Sequence, residues 1–363
     1  MLAIGLMSGT SLDGVDAALI ETDGEGQVRP VAFRGEPYSD AARAQLAEAT
    51  VLALSFDKPR PSPPVVAAGD LIVRTHVLAV QKLLRDAGVA ADDVGVVGFH
   101  GQTVAHRPDR GWTWQIGDGA ALANATGITT VWDFRSADVA AGGQGAPLLP
   151  VYHAALTAGL TLPVAVLNLG GVANITWVGP DGGLGAFDTG PANGLIDSWM
   201  EAETGARFDA DGALAASGRV EATVLDTLLD NPWFDAAPPK SLDRNDFTIQ
   251  AVRGLSAADG AATLTAFTAA TVARALEHLP SRPTRLLVAG GGRHNPTMLR
   301  MIAEATGIVP EPSDALGWNG DAMEAEGFAY MAVRTLKGLP ISFPGTTGAA
   351  LPMPGGVVSE PER

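Results

Sequence analysis

The sequence predicts an α/β protein made of two similar domains, and three observations predict it. First, the chain opens with a glycine-turned pair of apolar runs, Leu2 to Leu6 and Val15 to Ile20, around Gly5 to Asp16. Second, the pattern restarts near Pro163, with Val164 to Leu169, the turn Gly170-Gly171, and Ala173 to Val178. Third, short apolar strands alternate with segments of helical spacing through the rest of the chain. The two openings are a repeat of structure rather than of letters. The 363 residues have room for two domains. We place the first at 1–140 with 341–363, and the second at 141–340.

The elements read as follows. The first two apolar runs form a hairpin, and Val28 to Phe33 is a third strand. Residues 51–64, with Pro59, Pro61, Pro63 and Pro64, read as a connector. From Val65 to Leu84 apolar residues recur at helical spacing, and Gly88 suits the cap. Val94 to Phe99 is a short buried strand that empties into a loop carrying His100-Gly101-Gln102-Thr103. After Trp112 to Ile116 comes a small-residue helix to Ala125, then a strand from Ile128 to Val131. A glycine-rich loop, Gly142 to Pro147, leads to a helix through Tyr152. In the second half, Ala186 to Asn193 precedes a helix from Leu195 to Glu203. Residues 205–250 read as loop-rich. Thr263 to Leu279 is a helix, and Arg285 to Ala289 is a strand ending in Gly290-Gly291-Gly292. Pro296 suits a first helical turn. Ala322 to Leu336 is the last long helix, and the chain frays beyond Pro354.

Composition narrows the function. With 46% hydrophobic and 18% charged residues, the chain can bury a large core. A net charge of -16 argues against non-specific nucleic-acid binding and against an anionic membrane surface. It leaves a nucleotide ligand open, because backbone amides and helix N-termini bind phosphate inside acidic proteins. The chain has no cysteine, which removes thiol catalysis, thiolate zinc sites and disulfides. No basic segment precedes Leu2, and no apolar run approaches the roughly eighteen residues of a bilayer span. A cytoplasmic protein is the expectation.

The chemistry-bearing stretches each admit two readings. Ser8 to Gly14 offers hydroxyls, a carboxylate and unshielded amides, equipment for an anion, or else a self-solvating hairpin loop. Gly290 to Gly292 at a strand-to-helix junction lets a flat ligand lie on the backbone, or makes a tight turn. Asp188, at a strand end, is a general base or a helix cap. His100 with Gln102 at a loop apex can bond a sugar, or His100 is a satisfied structural group. Arg135 past a buried strand can clamp an anion, or it joins Asp133 and Asp138 in an ion-paired loop. Glu324 is a ligand contact or a helix-dipole acid. Trp112, Trp114 and Trp132 stack on a sugar or line the core. The Walker, dinucleotide-binding, zincin and nucleophile-elbow motifs are missing.

Taken together, these stretches resemble the anhydro-N-acetylmuramic acid kinase family from Gly5 to about Ala350. The matches are GLMSGTSLDGVD (5–16), HGQT (100–103), QIGD (115–118), DFR (133–135), DVAAGGQGAPL (138–148), LNLGGVANIT (167–176), FDTGP (187–191), PKS (239–241), GGG (290–292) and TGA (347–349). Ala192 and Phe99 depart from the family's usual glycine and serine. The resemblance implies an actin-like fold of two ribonuclease-H-like domains with a cleft for ATP and Mg²⁺. It implies phosphate contacts from Gly9, Thr10, Ser11, Leu12, Asp13, Gly14, Val15 and Asp16 and from Gly170, Gly171 and Asn174, with adenosine on Gly290, Gly291 and Gly292. Asp13 would hold magnesium through water. Asp188 would be the catalytic base, and His100, Gln102, Arg135 and Glu324 would contact the sugar. The implied assembly is a homodimer with no nucleic-acid or membrane partner. The implied reaction opens the 1,6-anhydro ring and phosphorylates O6, in peptidoglycan recycling. Two alternatives stand beside it: a kinase of the same fold acting on a free sugar hydroxyl, and an ATP-driven binding protein.

Overall fold

The structure is a computed structural model and describes residues 1–242 and 246–362. It divides into two compact units, Met1–Ala158 with Ala322–Arg363, and Gly159–Asp321. The divisions therefore fall near 158 and 321, not at 140 and 340 as expected from the sequence. Packing explains the shift. The segments 150–157 and 323–336 are helices of the first unit, joined by a hydrogen bond from the Tyr152 hydroxyl to Glu326 (2.7 Å).

The first unit begins with the expected hairpin, β1 (Leu2–Ser8) and β2 (Gly14–Thr22), followed by β3 (Val28–Pro37). Next come α1 (Asp40–Leu54) and α2 (Pro63–Ala87). The start of the supposed connector is thus the end of α1, which Ser39 caps by accepting the Ala42 N–H. By length and composition α2 can cross a membrane, contrary to the sequence expectation. Its apolar stripe instead faces the core: Val65, Ala68, Ile72, Ala79, Val80 and Leu83 are buried, while Asp70, Arg74, Arg85 and Asp86 are exposed. β4 (Val94–Arg107) and β5 (Trp112–Ile116) follow, then α3 (Gly119–Thr126), β6 (Thr130–Trp132), α4 (Ser136–Ala140) and α5 (Pro150–Thr157).

The second unit holds β7 (Val164–Leu169), β8 (Val172–Val178), β9 (Leu184–Pro191) and α6 (Asn193–Thr204). The stretch expected to be loop-rich carries two helices, α7 (Ala213–Ser217) and α8 (Ala222–Leu229). α9 (Ala257–Glu277), β10 (Arg285–Ala289), α10 (Pro296–Thr306) and β11 (Pro310–Pro312) complete it. The chain then returns to the first unit with α11 (Met323–Leu336), α12 (Pro344–Thr347) and β12 (Val357–Ser359). The tail is not frayed as expected. β12 pairs with β6, and the Trp132 indole N–H donates to Ser359 Oγ at 3.0 Å.

The two sheets share one plan. In the first the order is β12-β6-β4-β1-β2-β3, with β5 paired to β4. In the second it is β11-β10-β7-β8-β9. β1, β2 and β3 meander antiparallel while β4 and β6 run parallel to β1; β7, β8, β9, β10 and β11 repeat this arrangement. Each unit therefore has the ribonuclease-H-like strand order. Its core lies between the sheet and its helices, around Ile4, Leu19, Ile72 and Phe99 in the first unit and Trp199, Phe234 and Phe267 in the second.

One packing contact sets the geometry of the first unit. Gly5 on β1 and Gly98 on β4 are register partners. A Cβ on Gly5 would lie 1.7 Å from the Ala325 carbonyl oxygen, and one on Gly98 would lie 2.1 Å from that of Phe328. The backbone of α11 rests directly on this glycine pair. Gly5→Ala should therefore destabilise the fold by about 2–3 kcal/mol through overpacking. Gly26→Ala, whose Cβ would meet nothing within 4 Å, should stay within about 0.5 kcal/mol of wild type. Urea unfolding of both variants would decide; equal midpoints would refute the contact.

Candidate active site

The turn between β1 and β2 is Gly9–Asp13, while Gly14, Val15 and Asp16 already belong to β2. The Val15 side chain is buried in the core. Within the turn Thr10, Ser11 and Asp13 are exposed, and Leu12 has a positive φ of 58°, a conformation rare for a branched side chain. Buried side chains hold this turn from behind. Ser8 Oγ donates to Gln102 Oε1 at 2.6 Å and lies 2.8 Å from the Tyr38 hydroxyl. Gln102 Nε2 donates to the carbonyls of Gly9 (3.2 Å) and Thr103 (3.3 Å). The Tyr38 N–H donates to the Asp13 carbonyl at 2.9 Å.

Two of the residues expected to touch sugar are thus placed differently. His100 and Gln102 do not sit on a loop apex. They lie inside β4, which continues for eight residues past Phe99, to Arg107. Gln102 is 0% exposed, and both hydrogens of its amide are engaged. His100 is also buried, with Nδ1 2.9 Å from the Gly101 carbonyl. That acceptor fixes the proton on Nδ1. Nε2 then accepts from Arg135 Nε (3.2 Å) and Nη2 (3.0 Å). Burial and the adjoining guanidinium keep the imidazole well below its usual pKa, hence neutral.

Arg135, at the start of α4, also donates through Nη1 to the Gly145 carbonyl at 2.8 Å. A guanidinium has five N–H groups, so two remain for a ligand. Burial lowers its pKa to about 10, against the pull of Glu324 and Asp138. Glu324 stands in the first turn of α11 with an exposed side chain. Surrounding protein pushes its carboxyl upward, tempered by that exposure, and Arg135 opposes the push. Among the described residues no direct ion pair joins the two. Asp138 is a strut: Oδ2 accepts the Gly145 N–H (2.6 Å) and Oδ1 accepts the Thr347 hydroxyl (2.7 Å). The Gln144 N–H donates to the Thr347 carbonyl at 2.7 Å. Gly142 to Pro147 and Thr347 thus form one cluster behind Arg135. Trp114 and Trp132 pack against the core of this unit rather than standing free.

In the second unit, Asp188 lies on β9 opposite Asn174 of β8. The segment after Lys240 runs beside it. The Asp188 N–H donates to the Lys240 carbonyl at 3.0 Å, and the Leu242 N–H donates to Asp188 Oδ2 at 2.8 Å. Lys240 is anchored in turn on the carbonyls of Trp233 and Phe234, with its ammonium over the Trp233 ring. No donor among the described residues reaches Asp188 Oδ1. The carboxyl is half-buried, and burial raises its pKa to about 6 against the single Leu242 hydrogen bond. A carboxylate so poised can accept a proton near neutral pH. The helix-cap reading fails, since α6 begins at Asn193 after Ala192.

The turn Gly170-Gly171 is pinned by the start of α6: Gly171 O accepts from Ala192 and Gly194, and Gly170 O accepts from Asn193. At β10 the three glycines differ. Gly290 has φ 75°, and its Cβ would lie 2.4 Å from Asn168 Oδ1; a Cβ on Gly292 would lie 2.6 Å from that of Leu169. Gly291 is open and lines a cavity of about 360 Å³ with Asn193, Ile196, Asp197, Phe208 and His294. Phe208 is 62% exposed there. These lining residues come from separate stretches, so no local pattern announces them. Among the described residues no group of three or more His, Asp or Glu side chains could hold a metal ion.

The profile of the anhydro-N-acetylmuramic acid kinase family matches residues 1–360. The protein of that name from Rhizorhabdus wittichii is 72% identical, over 99% of each chain. Its namesake from Zymomonas mobilis is 55% identical, over 98% of this chain and 99% of the other. Among solved structures, component A of (R)-2-hydroxyglutaryl-CoA dehydratase from Acidaminococcus fermentans has a TM-score of 0.50 at 13% identity, covering 93% of this chain and 99% of that one. That likeness concerns the fold alone, the two-domain actin-like architecture. The chain belongs to the anhydro-N-acetylmuramic acid kinase family.

Proposed function

We infer that the protein is an ATP-dependent kinase that hydrolytically opens 1,6-anhydro-N-acetylmuramic acid and phosphorylates O6. The observation that carries this reading is Asp188: a carboxyl that, among the described residues, takes one fixed hydrogen bond, on Oδ2, and has a pKa raised to about 6. In the reaction, Asp188 takes a proton from water as the water oxygen bonds to C1. The C1–O6 bond breaks, and its electron pair stays on O6. O6 bonds to the γ-phosphorus and ADP leaves. Ordinary inverting hydrolysis needs a second carboxylic acid to protonate the leaving oxygen. Here the phosphoryl group captures that oxygen, so one base suffices.

The remaining assignments follow the geometry of each unit. The amides of Gly9–Asp13 and of Gly170-Gly171 suit phosphate oxygens. The cavity at Gly291, with Phe208 on its wall, suits the adenosine. Arg135, held by His100 and Gly145, offers its two spare N–H groups to the lactyl carboxylate, and Glu324 accepts from sugar hydroxyls. Mg²⁺ arriving with the nucleotide would be held by phosphate oxygens and, through water, by Asp13; it would offset phosphate charge. A homodimer working in the cytoplasm is the setting we propose.

Three outcomes test this reading. In ¹⁸O-labelled water, ADP release with the anhydro sugar should place one label in the sugar phosphate. Release without label, once anomeric exchange is controlled, would favour phosphorylation of a free hydroxyl. Asp188→Asn should lower kcat by roughly 10²–10⁴-fold while ATP affinity is nearly kept; substantial residual kcat would remove Asp188 as the base. The pH profile has a definite sign. The base works ionised, so kcat/KM should climb as pH rises through about 6 and level off above. A profile flat down to pH 4 would contradict the assignment.

A further inference from the structure

The first hairpin is fastened at both rims by one buried hydrogen-bonded set. Ser8, Tyr38 and Gln102 are 1%, 6% and 0% exposed. The Tyr38 N–H holds Asp13 at one rim, and Gln102 Nε2 holds Gly9 at the other. Ser8 Oγ joins them, donating to Gln102 Oε1 and leaving its lone pairs for the Tyr38 hydroxyl. The hydroxyls then relay toward the turn, Tyr38 to Ser8, Ser8 to Gln102 and Gln102 to Gly9, while the second Gln102 amide hydrogen goes to Thr103. The turn between the rims carries the strained Leu12 and exposed hydroxyls. Without these ties a five-residue turn has many backbone states of similar energy.

We propose that Gln102, with Ser8 and Tyr38, is a positioning residue that locks the Gly9–Asp13 turn in the conformation that receives the transferring phosphoryl group, and that it does not contact the sugar. This rests on the kinase reading above. A fixed array of amides stabilises charge that develops during transfer, and the benefit is lost when the array is free to move. The consequence is a kcat effect. An amide does this job at position 102 at every pH, because it accepts from Ser8 and donates to Gly9 together, which an ionised carboxylate cannot.

The test compares Gln102→Met, Ser8→Ala and Tyr38→Phe with wild type in steady-state kinetics, with ADP binding measured by calorimetry and folding by thermal melts. Gln102→Met should lower kcat roughly 10–100-fold, with little change in KM for the sugar and a smaller change in ADP affinity. Ser8→Ala and Tyr38→Phe should give smaller losses in the same parameter, and Ser8→Ala combined with Gln102→Met should lose less than the product of the two. Gln102→Glu adds a readout that loss of folding would not move. An ionised carboxylate at position 102 repels the Gly9 carbonyl, whereas the protonated form can donate to it. The ratio of Gln102→Glu to wild-type kcat should rise as pH falls. Unchanged kcat in folded Gln102→Met overturns the proposal, as does a rise in sugar KM alone, which would make Gln102 a sugar contact. Wild-type turnover of the anhydro sugar tests the kinase reading separately, so failure of the one is not mistaken for failure of the other.

Discussion

The backbone of α11 lying on Gly5 and Gly98 is the constraint on which the first unit depends. Two neighbouring strands each give up a side chain at the same level, and a helix from more than two hundred residues later fills the gap. That close approach fixes the start of α11, and with it Glu324, relative to β4 at Gly98. Phe328, four residues on, touches the His100 ring, with centroids 4.7 Å apart, and packs on Phe134. The position of Arg135 follows, since His100 accepts two of its N–H groups. A helix lifted by one methyl group would move every member of this chain of contacts, because close-packed interiors transmit such strain.

Partner chemistry explains the residue types. His100 must accept from a guanidinium, so it has to be neutral, and burial beside that guanidinium enforces neutrality. Gln102 must donate and accept at once, which excludes Leu and an ionised Glu. Thr347 must donate to a carboxylate while its own carbonyl accepts from Gln144. Each contact is worth about 1 kcal/mol when made, whereas leaving one of these buried groups unpaired costs about 1–3 kcal/mol. The clusters therefore work chiefly as specificity devices: they make the alternatives worse.

The class, the doubled hairpin and the glycine turns were legible because period-2 and helical spacings are local signals. Three features were not. β4 continues through His100-Gly101-Gln102-Thr103, yet polar residues and glycine read as a loop; the polar groups are tolerated in a buried strand only because partners distant in sequence satisfy them. β12 is invisible in a Gly- and Pro-rich tail, since it exists by pairing with β6. The cavity at Gly291 is assembled from α6, residues 208–211 and the β10–α10 junction, which no window spans. Asp188, Arg135 and Glu324 were found as chemistry-bearing side chains at element ends. His100 and Gln102 were found too, but as ligands rather than as supports, because a sequence shows a donor without showing what it already holds.

Asp188 and Asp138 show how one residue type is divided between chemistry and support. Asp138 is 2% exposed and has a donor on each oxygen, the Gly145 N–H and the Thr347 hydroxyl. Both of its oxygens are held by fixed donors, which suits a strut. Among the described residues, Asp188 has a donor on one oxygen only, and burial works against its charge. Hydrogen bonds to a carboxylate stabilise the ionised form, and desolvation destabilises it. With one bond against partial burial, the balance falls near 6, close enough to neutrality for the group to be ionised at rest yet able to hold a proton in the transition state. A second donor on Oδ1 would stabilise the ionised form of Asp188 and so lower its basicity. Lys240 and Leu242 orient the carboxylate through one backbone contact each, and under the proposed mechanism that limited support separates a base from a brace.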